Sequence, residues 1–133
     1  MAELTLRLAG MFRELGPAGP RLTRESIFEA VADEELPDVA EVVRYLRAGH
    51  VLIDVLDVAN DAFDPEQQVV NGPTIRTDGD WLWREDLAYY VRRHRVRLPE
   101  DFLALIRARN YVVPPRDEEL LAECAAVAEK LVF

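Results

Sequence analysis

Carboxylates are the side chains most able to do chemistry in this chain. Asp61, Asp64 and Glu66 crowd one polar stretch, NDAFDPEQQVVNGP, and Asp78 and Asp80 flank a glycine further along. With Asp57 just before that stretch, Asp57, Asp61, Asp64 and Glu66 could in principle supply oxygens to a hard cation. Their spacing is not that of a calcium loop, however, and the central glycine of such a loop is missing. A solvated acidic loop is the simpler reading, and these five side chains then suit a protein partner of opposite charge, whose approach they would steer. Asp54 stands apart because it lies inside an apolar run, HVLIDVLDV. Burial there would raise its pKa and make it a proton carrier, which is the alternative reading of the chain as a small enzyme. A strand with one wet face accounts for Asp54 more simply.

Other catalytic groups are scarce. The two histidines, His50 and His94, have no acid or nucleophile at a recognisable spacing, and both read as structural or surface residues. The sequence contains no HExxH, no GxSxG, no glycine-rich phosphate loop and no His/Cys ligand set. No catalytic residue, metal or cofactor is therefore assigned, and a non-enzymatic role is expected. Cys124 falls in a helical apolar stripe, where a thiol is expected to be buried and inert.

Charge separates the chain into unlike parts. The formal net charge is −9, with −9 over residues 1–83, +3 over 84–109 and −3 over 110–133. An acidic body repels nucleic acid and anionic membranes and attracts basic partners. The exception is VRRHRVR, where Arg92 to Arg97 follow Tyr89 and Tyr90. Such a cluster is what a nucleic-acid-binding regulator would use. Glu85, Asp86, Glu100 and Asp101 flank it, so arginine stems lying over apolar surface are the plainer reading, and nucleic acid is not the expected partner.

These residues must be positioned by elements that periodicity suggests. Leu4, Leu8, Met11, Phe12 and Leu15 recur at helical spacing before Gly16 and Pro17; Thr23 is placed to cap a short helix bearing Ile27, Phe28 and Val31; and Pro37 opens a third helix that Gly49 ends. The period then changes. HVLIDVLDV reads as a strand, NDAFDPEQQVVNGP as a loop, and PTIRT–Asp78–Gly79–DWLW as a hairpin. REDLAYYVRRH and LPEDFLALIRARN read as helices, YVV as a short strand, and Leu120, Leu121, Cys124, Val127, Ala128 and Leu131 as the apolar face of a last helix. The expectation is one α+β domain over residues 1–133, helical over 1–49 and built of strand, hairpin and helices over 50–133. Its sheet would be small and largely antiparallel, with a Thr77–Asp80 hairpin, packed by about six helices.

A two-residue hairpin loop would fix the register: Thr77 opposite Asp80, Arg76 opposite Trp81, Ile75 opposite Leu82 and Thr74 opposite Trp83. Trp81 and Trp83 then share a face with Arg76 and Thr74, and an Arg76–Trp81 cation–π contact becomes available. If a helix covers that face the tryptophans are core, the favoured reading; if none does, they form a binding platform.

Pro73 and Ile75, Thr77 to Gly79, Trp81 with Trp83, Leu87 with Tyr89 and Tyr90, and Leu98, Pro99 and Phe102 follow in an order that resembles a segment of small bacterial proteins. Some of those resemble the immunity proteins of toxin systems. Arg84 stands where that pattern has Pro and His94 where it has an aromatic residue, and the N-terminal elements fall outside the resemblance. The resemblance implies a small, acidic, non-enzymatic cytoplasmic protein that blocks one cognate toxin. A protein partner, such as a basic toxin domain, is thus expected, with Asp61, Asp64, Glu66, Asp78 and Asp80 facing it. No stretch approaches the roughly 20 apolar residues of a membrane span, and no secretory pattern opens the chain, so no membrane partner is expected and the expected location is the cytoplasm.

Overall fold

Trp81 and Trp83 lie at the centre of the architecture. In a computed structural model, which describes residues 4–15 and 25–132, the chain forms β1 (Arg7–Leu8), α1 (Val39–Arg47), β2 (His50–Ile53), β3 (Val58–Asn60), β4 (Gln68–Val70), β5 (Ile75–Thr77), β6 (Trp81–Arg84), α2 (Asp86–His94), α3 (Glu100–Ala108) and α4 (Glu118–Val132). The class is α+β. Four strands make one mixed sheet in the order β1-β6-β5-β2, and β3 with β4 makes a separate two-stranded ribbon. β1 runs parallel to β6, while the β6–β5 and β5–β2 pairs are antiparallel.

The sheet is covered on both faces. Alternation along β6 sends Trp81 and Trp83 to one side, where Trp81 stacks on Phe102 of α3 at 4.8 Å and Trp83 meets the same ring at 5.2 Å and Tyr45 of α1 at 6.2 Å. The Trp83 indole N–H donates to the Leu46 carbonyl at 3.0 Å, so its one polar atom is satisfied. On the other side Ile75 and Leu82 pack with Leu6 and with Cys124 and Ala128 of α4. The tryptophans are core, as favoured, and Cys124 is buried, which pushes its thiol pKa up. Gly49 ends the α1 turn and also makes room: a side chain there would collide with the Trp83 ring.

The hairpin forms with a wider loop than expected. Thr77 pairs with Leu82, Arg76 with Trp83 and Ile75 with Arg84, a shift of two residues. Side chains cause it. The Asp78 carboxylate accepts from the N–H groups of Asp80 and Trp81 at 2.9 and 2.8 Å, and the Thr77 hydroxyl accepts from Gly79 N–H and donates to the Trp81 carbonyl. These bonds replace the ladder bonds that a tighter turn would use, and Gly79 alone in the turn takes positive φ, at 100°. A shift of two leaves every face unchanged. The Arg76–Trp81 contact is replaced. Arg76 bonds Glu85 and the Gly49 carbonyl, and the Arg7 guanidinium lies 4.3 Å above the Trp81 ring.

Other expectations are corrected. The helix expected over Leu4–Leu15 is instead strand β1 and a 3₁₀ turn at Arg13–Leu15, because the Arg7 and Ala9 N–H groups bond carbonyls at and beside β6. The next helix is a 3₁₀ turn at Ile27–Glu29 capped by the Ser26 hydroxyl; the expected cap Thr23 and the break at Gly16 and Pro17 lie outside the described residues. The first third is therefore not mainly helical, and the described residues contain four α-helices rather than about six. The strand expected over HVLIDVLDV ends at Ile53; its last residue, Val58, opens β3, and the expected loop holds Asn60 of β3 and all of β4. YVV is not a strand, since Asn110 and Tyr111 take φ of 52° and 63°. Among the described residues no helix is long and apolar enough to cross a membrane.

Candidate functional site

The five candidate carboxylates occupy unlike surroundings. Asp78 is fully buried, so it is not the partner-facing residue the sequence suggested. Besides its two turn bonds it accepts from the Tyr45 hydroxyl at 2.7 Å and from Arg109 at 3.1 Å, and burial together with this carboxylate holds the Tyr45 pKa well above its ordinary value. Asp80 is half-exposed and paired with Arg109 and Arg116. These two acids are the clamp that ties the β5–β6 turn to the end of α3 and to the approach to α4.

Asp61 is also buried, which corrects its assignment to the surface. It follows β3 directly, and its carboxylate accepts from the Tyr89 hydroxyl and the His94 Nε2–H, both at 2.6 Å, and from the Phe63 N–H at 2.8 Å. Burial alone would raise the Asp61 pKa; the hydrogen bonds outweigh it and hold the group below the ordinary carboxylate range. Burial first, and then the bond to Asp61, push the Tyr89 phenol up to about 12. Phe63 stacks on the His94 ring at 4.4 Å, and the Ala62 N–H donates to the Tyr90 hydroxyl. His94 thus has an acid partner that spacing did not reveal, because the fold brings it from the loop after β3.

At the other end of the ribbon the Asp86 N–H donates to the Gly72 carbonyl, and the Asn71 N–H to the Asp57 carbonyl. Asp86 is itself fully buried and paired with Arg84, which also reaches the Leu15 carbonyl. Desolvation outweighs the Arg84 charge and pushes the Asp86 carboxyl up to about 6. Sequence reading missed this residue because it counted Asp86 only as a flank of the arginine run.

Held at both ends, the ribbon leaves one face in water. Val58 lies opposite Val70 and Ala59 opposite Val69. Ala59 and Val69 are half-buried, whereas Val58 and Val70 are 46% and 69% exposed, and Leu56 just before β3 is 81% exposed. Around these apolar groups the acids lack cations. Residues 48–75 contain no Lys or Arg. Asp54, Asp57 and Glu66 are exposed and Asp64 is half-buried, and none of the four has an ion-pair partner among the described residues. The Asp64 carboxylate accepts from the Glu66 N–H at 3.1 Å and shapes the turn between the strands.

The remaining candidates are more ordinary. His50 contacts the Pro114 carbonyl at 2.9 Å. Asp54 is exposed just past β2, with the Thr74 hydroxyl 3.5 Å away. In the basic segment, Arg95 and Arg97 donate to the carbonyls of Asp33 and Glu29, while Arg92 and Arg93 are exposed without an ion pair among the described residues. Arg95 and Arg97 also border an apolar cavity of about 250 Å³ beside Val91 and Leu103, which includes none of the candidate carboxylates. Compared with protein families, with characterised proteins and with solved structures, the chain matches none of them.

Proposed function

We propose that this is a non-enzymatic interaction protein that receives a basic protein partner on the β3–β4 ribbon. Neutralisation of a cognate bacterial toxin is the sharpest form of that reading. The observation that carries it is the coincidence of exposed apolar side chains, Leu56, Val58 and Val70, with carboxylates that have no ion-pair cation among the described residues, Asp54, Asp57, Asp64 and Glu66. An apolar centre with charged surroundings is how recognition surfaces combine affinity with steering. Of the five carboxylates first considered, Asp64 and Glu66 belong to this surface, Asp61 supports it, and Asp78 and Asp80 serve the hairpin. Asp54 is exposed, and in this reading it joins the surface.

The test is capture and rescue. A basic protein retained by the wild-type chain should be released by salt and lost from a D57N/D64N/E66Q variant, and a toxin so captured should be harmless to cells that co-express the wild-type chain. Retention that ignores both salt and those substitutions would overturn the reading. A second reading, nucleic-acid binding, draws on Arg92 and Arg93, which are exposed and have no ion pair among the described residues. It requires a shift of DNA or RNA at low salt that R92Q/R93Q abolishes.

A further inference from the structure

The ribbon has an open edge as well as an open face. The Asn71 N–H bonds the Asp57 carbonyl and the Asp61 N–H bonds the Gln67 carbonyl. With Val58 opposite Val70, Ala59 opposite Val69 and Asn60 opposite Gln68, the alternation of an antiparallel ladder makes 57/71, 59/69 and 61/67 the bonded pairs. The backbone N–H and C=O groups of Gln68 and Val70 therefore point away from β3. On the opposite edge the Asp57 carboxylate takes the outward Val58 N–H at 2.8 Å. Among the described residues no side chain does this for β4. Gln68 and Val70 are exposed, and β4 has no charge, proline or bulge of the kind that blunts an edge.

We propose that the outer edge of β4 is a strand-addition site: an extended segment of the partner, alternating apolar with Arg or Lys, takes the outward backbone groups of Gln68 and Val70. This rests on the ribbon being the partner surface and specifies how the partner lies on it. Main-chain bonds supply affinity in this mode, and alternate side chains supply selectivity. On the exposed face the added strand sets an apolar side chain beside Val70, on the side away from Val58. Its cations meet Glu66 and Asp64, which precede β4 in the connecting turn. A second copy of this chain fits poorly, because it brings a formal charge of −9 against −9. A two-stranded ribbon is also marginal alone and gains from a third strand.

A synthetic alternating Val–Arg decapeptide serves as the probe, with fluorescence anisotropy and amide hydrogen exchange as readouts. It should bind the wild-type protein and slow exchange at Gln68 and Val70, whereas the Val–Glu counterpart should not bind. V70P removes an outward N–H and leaves the inward ladder, and it should weaken binding by about tenfold or more; V70T, which keeps the N–H and gives up only part of the apolar contact, should weaken it less. A Val–Arg peptide N-methylated along one edge, tested on unaltered protein, should lose about as much, so the result does not depend on how V70P folds. Equal binding of the methylated and parent peptides, or unchanged exchange at Gln68 and Val70, would show charge-only association; strand addition would then fall while the ribbon reading stood. Failure of the Val–Arg peptide to bind at low salt would also refute strand addition, leaving the ribbon reading to its own test of salt and the D57N/D64N/E66Q variant.

Discussion

Two antiparallel strand pairs of similar length lie close together in this chain, and they meet opposite fates. In β5–β6 both faces are roofed by helices, and the acids of its turn are held by Arg109 and Arg116. In β3–β4 the ladder is equally regular, yet one face and one edge are left to water and the nearby acids have no ion-pair cation among the described residues. Ladder hydrogen bonds alone do not distinguish them. What differs is where the apolar side chains go and whether each carboxylate has a partner. The first pair is spent on stability, and the second leaves apolar side chains in water.

The largest expected effect breaks the buried pair. Trp83→Ala empties a position that contacts Tyr45 and Phe102 and removes the indole donor to the Leu46 carbonyl, which keeps only the longer Gly49 N–H contact at 3.5 Å and a shared one from Ala48. It should cost about 3–5 kcal/mol in urea unfolding. Asp78→Ala comes next. It strips the acceptor from Tyr45, Arg109 and two turn N–H groups, and about 3 kcal/mol should be lost, with Arg109 left beside an emptied site. A loss below about 1 kcal/mol for either variant would mean that the hairpin is no more integral than the ribbon.

The junction between the two pairs should titrate. Asp86 ends the ribbon through Gly72 and pairs with Arg84 of β6, and burial lifts it from the ordinary 3.8 to about 6. A folded value above the unfolded one means that the native state holds this proton more tightly. The contribution is complete below about pH 4 and disappears as pH rises through 6, and at 1.36 kcal/mol per unit it amounts to about 3 kcal/mol. Asp38 has the opposite sign. Hydrogen bonds from Arg107, opposed by burial and aided by Tyr111, hold it at about 2, so its contribution is present above the ordinary 3.8 and is lost as pH falls through 2. Unfolding free energies measured between pH 4 and 8 should decline for the wild-type chain and be flatter for Asp86→Asn. An equally steep decline in the variant would locate the titrating group elsewhere.

The same contrast governs what could be read from the sequence. Helices α1 to α4 and the β5–β6 hairpin were legible because their apolar periods match the faces they bury, and the burial of Trp81 and Trp83 survived a register error of two. β1 was not legible: Leu4, Leu8, Met11, Phe12 and Leu15 carry a helical period, but pairing with β6 overrides it. The ribbon was hidden because its strands are three residues each: Val58 of β3 fell at the end of the expected strand HVLIDVLDV, and β4 lies among Asp, Asn, Pro and Gln, which read as loop. The roles of Asp61 and Asp78 were out of reach for another reason. Their partners His94 and Arg109 lie 33 and 31 residues away, and only the fold brings them together.

Smaller effects sharpen the comparison at the ribbon itself. Asp61→Asn keeps one oxygen for the Phe63 N–H but weakens the bonds from Tyr89 and His94, and about 1–2 kcal/mol should be lost locally. Amide exchange at Ala62 and Phe63 should then accelerate while Trp81 and Trp83 remain protected, since the ribbon opens separately from the sheet. Equal acceleration in both places would make them one cooperative unit. The smallest effect belongs to Val58→Thr and Val70→Thr, whose side chains already face water. Each should change unfolding free energy by no more than about 0.5 kcal/mol. A loss as large as that expected at Trp83 would mean that these valines already serve the fold, and the ribbon would then have no free apolar face to offer a partner.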